Sequence, residues 1–186
     1  MTGAVVWFTG LPASGKTTLA AAVQRKLGDA SIPACLFDSD QIRSALVPSP
    51  GYSLAERDAF YAALARLAAL LAEQGLVVLV AATAHRNAHR RQARELAPRF
   101  IEVFVQTPLE ECERRDPKGL YARARNGDLP HLPGARTEYE TPTNPDVIAP
   151  NGCSDEAVSE VVRLVEAASL GRTNPSAAAL NQPSGL

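Results

Sequence analysis

Lys16 and Thr17 close the run Gly10-Leu11-Pro12-Ala13-Ser14-Gly15-Lys16-Thr17, in which two glycines separated by four residues precede a lysine and a threonine. That spacing suits the grip of a nucleoside triphosphate. Glycines let the backbone curl, so that the N–H groups around Ala13, Ser14 and Gly15 can converge on phosphate oxygens. Lys16 can then neutralise the terminal phosphates, and the Thr17 hydroxyl is a candidate ligand for Mg²⁺. A second constellation is Asp38-Ser39-Asp40 with Arg43 one turn further on. Two carboxylates at i and i+2 beyond a strand end can both reach the crevice where open α/β sheets bind ligands. There one can accept a hydroxyl proton during phosphoryl transfer while the other supports the metal. Asp38 is the candidate base and Asp40 the candidate metal support. The ordinary alternatives are a glycine-rich connection for the first run and a helix cap for the second.

The elements that must position these groups are legible around them. Val5 to Phe8 reads as a buried strand entering the glycine-rich loop, and the helix beginning with Thr18-Leu19-Ala20 leaves it with its N-terminal dipole towards an anion. Further strands are expected at Ala34 to Phe37, Leu76 to Ala82, Phe100 to Val105 and, more weakly, Asp146 to Ile148. They alternate with helical patterns, as in a parallel sheet covered on both faces. Ser53-Leu54-Ala55-Glu56 has capping-box spacing and opens a helix through Phe60, Leu64, Leu67 and Leu71 that Gly75 ends. From Pro117 to Pro145 the chain turns rich in Pro, Gly, Arg and Tyr around a short helix at Leu120 to Arg125, the composition of a mobile active-site cover over about residues 115–145. The expected domain is therefore residues 1–170, with 171–186 a disordered tail.

Bulk properties narrow the class of protein. With 186 residues, 46% of them hydrophobic, the chain can build one core without staples, and a formal net charge of −1 gives no pull towards nucleic acid or an anionic membrane. Cys35, Cys112 and Cys153 lack paired spacing, and no apolar run reaches 18 residues; both points suggest a soluble cytoplasmic protein with reduced thiols. There is no Asn-Lys-x-Asp for reading guanine, and the third strand ends in Thr83 and Ala84 where motor and transport ATPases usually carry an aspartate.

At this point the chain resembles the adenylylsulfate kinases, which phosphorylate the 3′-hydroxyl of adenylyl sulfate with ATP and Mg²⁺. The similarity runs from about Val5 to Val147. It rests on the glycine-rich loop, on Asp38-Ser39-Asp40-Gln41-Ile42-Arg43, on Gly51-Tyr52-Ser53 with Glu56-Arg57, and most specifically on Phe100 to Glu110 continuing into Arg115-Asp116-Pro117-Lys118-Gly119-Leu120-Tyr121. Tyr139-Glu140 followed by Pro142 matches a pocket-closing segment. The resemblance implies a P-loop kinase fold, a five-stranded parallel sheet with a lid. It assigns Gly10, Ala13, Ser14, Gly15, Lys16, Thr17, Thr18 and Arg115 to ATP, with Arg115 over the adenine, and Thr17 with Asp40 to the metal. Asp38, Lys16 and Lys118 become the catalytic set, and Asp40, Arg43, Tyr52, Arg57, Lys118, Leu120 and Tyr139 contact the acceptor. It also admits a homodimer.

The departures gather on the acceptor side. Where the family has Glu-Asn-Ile-Arg-Arg this chain has Ala59-Phe60-Tyr61-Ala62-Ala63. Its Phe-Ile-Ser-Pro becomes Ala82-Thr83-Ala84-His85, and Pro130-His131-Leu132-Pro133-Gly134-Ala135 lacks the family's lysine and second stacking ring. A lost ring removes about 1 to 3 kcal/mol per stacked base. Three readings therefore remain open at the level of sequence: phosphorylation of adenylyl sulfate, phosphorylation of another small anionic or nucleotide-linked alcohol, and an ATP-binding module without turnover. His85 and His89, four apart among Arg86, Arg90, Arg91 and Arg94, are not read as metal ligands, since cationic neighbours disfavour a bound cation, and the arginines are read as a solvated helix face.

Overall fold

Alternate residues of the first strand face two different cores. In a computed structural model, which describes residues 3–170, strand β1 (Ala4–Thr9) sends Val6 and Phe8 to one side and Val5 and Trp7 to the other, all essentially without solvent exposure. Burial on both faces is why the strand shows no polar alternation. The remaining strands are β2 (Ala34–Asp38), β3 (Val77–Ala81), β4 (Phe100–Gln106) and β5 (Val147–Pro150), within a residue or two of the expected segments. They form one parallel sheet of order β2-β3-β1-β4-β5.

The helices are α1 (Lys16–Asp29), α2 (Ser39–Ala45), α3 (Leu54–Glu73), α4 (Asn87–Leu96), α5 (Leu109–Arg115), α6 (Leu120–Arg125) and α7 (Asp155–Leu170). On one face, Leu19, Val23 and Leu27 of α1 and Val161 and Val165 of α7 close over Val6, Phe8 and Leu79. On the other, Phe60, Leu64 and Ala68 of α3 and Ala93 of α4 cover Val5, Trp7 and Val80. Helix α3 starts as its capping box requires: the Glu56 amide donates to Ser53 Oγ at 3.3 Å and the Ser53 amide donates to Glu56 Oε2 at 3.1 Å. A third, smaller cluster of Cys112, Tyr121, Ala124 and Leu132 lies under the cover segment, and Leu11, Ala13 and Leu120 pack against it. The Tyr121 hydroxyl donates to the Pro12 carbonyl at 3.0 Å, so the cover is fastened to the glycine-rich loop. No helix among the described residues is long and apolar enough to cross a membrane. The tail expected over 171–186 lies outside the described residues.

One expectation is corrected here. The basic face around α4 is not solvated throughout, since Arg90 is 2% exposed and His85 and His89 are buried. Arg90 reaches inward because an acceptor set awaits it. Its Nε donates to Glu102 of β4 at 2.9 Å, Nη1 to the Ala84 carbonyl at 2.6 Å, and Nη2 to Asn87 Oδ1 and, at 2.6 Å, the Glu140 carbonyl. His89 Nε2 meets Asp58 Oδ1 of α3 at 2.7 Å, a carboxylate not foreseen beside it.

A buried pair of this kind is costly to break from one side. Glu102→Gln is expected to remove about 3 kcal/mol of unfolding free energy in urea titration, whereas the double variant Arg90→Met with Glu102→Leu recovers most of the loss. Equal destabilisation of the two would contradict this account.

Candidate active site

The glycine-rich loop leaves the sheet at the tip of β1, between β3 and β4, where strand order reverses direction along the chain. Gly10 is required there. Its φ is 149°, and a Cβ would lie 2.6 Å from the Val105 carbonyl oxygen. Gly15, with φ 101°, caps α1, and Ala13 takes a left-handed φ of 60° without being glycine. The loop closes on itself around Lys16, whose ammonium donates to the carbonyls of Leu11 at 2.6 Å and Gly10 at 3.2 Å. Burial within this ring of carbonyls lowers the Lys16 pKa to about 8, against the pull of Asp40 and Asp38.

Opposite the loop stands the β2–α2 junction. Asp38 caps α2, its Oδ1 accepting from the amides of Asp40 at 2.9 Å and Gln41 at 3.2 Å, while its Oδ2 accepts from the Thr17 hydroxyl at 2.6 Å. Asp40 turns the other way and is paired at 2.6 Å with Lys118 of the cover segment, a contact that raises the Lys118 pKa. Sequence reasoning placed Asp40 with Thr17 at the metal. In the structure it is Asp38 that faces Thr17, because the cap holds its second oxygen towards the loop.

These groups line a cavity of about 450 Å³ together with Ala13, Gly15, Thr18, Thr83 and Arg115. Ser14 lies behind the wall, fully buried, with its carbonyl accepting from Thr107 Oγ1 at 2.8 Å. Arg115 sits at the lip, donating to Glu111 at 2.7 Å and to the Asn151 carbonyl at 3.2 Å, so it joins the loop to the β5–α7 connection.

A second cavity, about 70 Å³, shares Pro12, Ser39, Asp40 and Thr83 with the first. A third, about 370 Å³ and mostly apolar, follows through Tyr52, Arg57 and Leu132. Two buried guanidiniums stand in this passage. Arg43 Nη1 donates to the carbonyls of Gly51 at 2.7 Å and Pro50 at 3.1 Å; Arg57 donates from Nε to the Tyr52 carbonyl at 3.0 Å and from Nη2 to that of His131 at 3.1 Å. Neither forms an ion pair with a carboxylate among the described residues, in contrast to Arg90. Tyr52, half-exposed, contacts both, at 4.6 Å from Arg43 and 5.3 Å from Arg57.

Two residues expected at the acceptor are elsewhere. Tyr139 stacks on Phe104, its hydroxyl meets Thr9 Oγ1 at 2.9 Å, and burial pushes its pKa up to about 12, so it braces the tip of β1 and lines none of the three cavities. Leu120 packs into the small cluster under the cover, its amide donating to Asp116 Oδ1 at 2.7 Å. His85 also lines none of them. Its two ring nitrogens lack partners and burial lowers its pKa to about 4, so it is neutral. Conversely, Tyr61 and Thr83 line the passage and were not singled out; the signals were the i+4 spacing of Tyr61 from Arg57 and the position of Thr83 just beyond β3.

A phosphate loop at the switch point of a five-stranded parallel sheet, with a cation-lined passage leading away from it, defines a P-loop kinase of small molecules. The sequence profile described as Adenylylsulphate kinase matches residues 2–149. An adenylyl-sulfate kinase of Vibrio parahaemolyticus is 42% identical over 87% of this chain and 78% of its own length, and one of Citrobacter koseri 46% identical over 78% and 73%. The chain is also 44% identical to the bifunctional enzyme CysN/CysC of Mycobacterium tuberculosis, of whose length it spans only 28%. The structure of the Mycobacterium tuberculosis APS kinase CysC in complex with AMPPNP and APS superimposes with a TM-score of 0.83 at 43% identity, covering 89% of this chain and 98% of that one. The chain belongs to the adenylylsulphate kinase family.

The depressed Lys16 pKa has a measurable consequence. Below pH 8 the free loop already carries its charge; above it, triphosphate binding requires uptake of a proton, so ATP affinity falls as pH rises, approaching tenfold per unit until the complex itself titrates. Calorimetric titrations between about pH 7 and about pH 9.5 check this, and a flat profile contradicts it.

Proposed function

We propose that the protein transfers the γ-phosphoryl group of ATP to the 3′-hydroxyl of adenylyl sulfate, releasing ADP and 3′-phosphoadenylyl sulfate. The observation that carries this reading is the pair of buried arginines, bonded to backbone carbonyls and paired with no carboxylate among the described residues, one shared wall away from the phosphate loop. A cation kept without a carboxylate inside an enclosed passage is arranged for an anionic group on a ligand. Family membership supplies the identity of that ligand, because the relatives matched over most of their length bear the name adenylyl-sulfate kinase.

The residues at the loop suit a magnesium ion. The Thr17 hydroxyl and an Asp38 carboxylate oxygen, 2.6 Å apart, are hard donors, few in number, as expected where phosphates and waters complete an octahedron. The chemistry of the ion when bound there is charge neutralisation on the transferring phosphates. Asp40 lines both the nucleotide cavity and the adjoining passage, whereas Asp38 lines only the former, which favours Asp40 as the group that takes the acceptor proton. The geometry thus favours exchanging the roles expected from the sequence. Lys118 is drawn from Asp40 to the incoming phosphates, which frees the carboxylate to act and lays positive charge beside the group in transfer. Arg115 at the lip borders the nucleoside end of the donor, and Arg43, Arg57 and Tyr52 hold the acceptor. The three free thiols are consistent with a reducing cytoplasm.

ADP release with adenylyl sulfate, compared with a panel of nucleotides, nucleotide sugars and sugar acids, tests the acceptor; turnover of a panel member and none of adenylyl sulfate overturns the assignment. Asp40→Asn is expected to lower kcat at least about 10²-fold with ATP binding retained, and Asp38→Asn to raise the Mg²⁺ concentration needed for half-maximal rate. The reverse pattern would restore Asp38 as the base. Lys118→Ala should lower kcat much more than it weakens ATP binding, and an unchanged rate removes Lys118 from the site.

A further inference from the structure

Arg43 is 5% exposed and yet uses only part of its hydrogen-bonding capacity. Nη1 donates to two backbone carbonyls, while among the described residues Nε and Nη2 donate to no protein acceptor, and the side chain lines the passage between the cavities. A guanidinium on a flexible stem, held at one nitrogen only, can still swing about that nitrogen; its plane must be fixed by something else if its free donors are to meet a ligand in one orientation. The structure offers one rigid group for this. The ring of Phe60, itself 3% exposed on the inner face of α3, has the Arg43 guanidinium carbon 3.9 Å from its centroid, closer than the half-exposed Tyr52 at 4.6 Å.

We propose that Phe60 is a positioning residue for acceptor recognition: its buried ring face fixes the Arg43 guanidinium so that the free Nε and Nη2 donors are presented to the anionic group of the acceptor. Phe60 itself lines neither cavity, so it acts through the lining residues it packs against, with Arg43 nearest its ring face. The ring also helps to hold a buried cation that has no ion-paired carboxylate among the described residues, since an aromatic face supplies negative potential without a carboxylate that would compete with an incoming anion. The inference rests on the acceptor passage described above but not on which acceptor fills it.

The test uses the acceptor that the wild-type enzyme turns over in the panel. Phe60→Leu and, as a second ring-free variant, Phe60→Met are expected to raise the KM for that acceptor about tenfold, with the KM for ATP within about twofold of wild type; Phe60→Tyr, which keeps the ring, restores the acceptor KM. Circular dichroism and thermal midpoints identify which variants fold. An acceptor KM unchanged in whichever ring-free variant folds overturns the inference, as does equal impairment by Phe60→Tyr, which would mean that apolar packing and not the ring face matters. Wild-type inactivity towards the whole panel overturns it too, whereas activity with an acceptor other than adenylyl sulfate overturns only the acceptor assignment.

Discussion

The tip of β1 is the point on which the site depends. Thr9, the last residue of the strand, donates from its hydroxyl to the Thr83 carbonyl at 2.7 Å and meets the Tyr139 hydroxyl at 2.9 Å. One buried side chain therefore joins the segment after β3 and the far end of the cover to the strand that launches the phosphate loop. The next residue, Gly10, passes so close to the Val105 carbonyl of β4 that no side chain fits. Neighbouring strands on both sides thus dictate where the loop turns, and the loop in turn orders the cover through Tyr121 and the nucleotide lip through Arg115 and Ser14. Registering these segments on one rigid strand is what preorganisation requires, since phosphoryl transfer draws most of its acceleration from placement and fixed charge.

Buried cations divide into two kinds, and the division separates function from architecture. Arg90 is buried and satisfied by Glu102 and by the Ala84 and Glu140 carbonyls, and with the exposed Arg94 it locks α4 to β4. Lys16, Arg43 and Arg57 are satisfied by backbone carbonyls, which soften the cost of desolvation without cancelling the charge. Carbonyl partners leave the field of the cation directed outward. Lys118 is an intermediate case: its exposed pairing with Asp40 is worth little in water.

Most of the scaffold was legible in the sequence because its signals are local. Five apolar runs became five strands, the Ser53 and Glu56 spacing became a capping box, and the glycines of the loop became the turns that their lack of a side chain permits. What escaped depends on partners distant in the chain. Arg90 looked solvated beside Arg91 and Arg94 until Glu102 arrived from another strand, 12 residues on, and Glu140 from 50 residues on. Tyr139 looked like a pocket residue until it met Thr9, 130 residues away. Asp38 and Asp40, two residues apart, have opposite aims because capping fixes the first and a lysine of the cover captures the second, neither of which a spacing rule encodes.

The proposed acceptor passage keeps its two arginines although other groups expected there are replaced. With the expected cations and amide replaced by alanines and Phe60, and a stacking ring by Leu132, fewer groups remain to grip the ligand, so each must be held more firmly. The walls consist of Leu132, Pro133, Pro12 and Tyr61 together with the polar Ser39, Asp40 and Thr83 around the two arginines. Burial of the two guanidiniums strengthens each surviving charge interaction. The rings of Phe60 and Tyr52 beside Arg43 and the two carbonyl bonds of Arg57 limit their rotations before a ligand arrives, so less entropy is lost on binding. In the reading proposed above, the two buried guanidiniums carry acceptor recognition, so the fixed orientation of each matters more than the number of contacts.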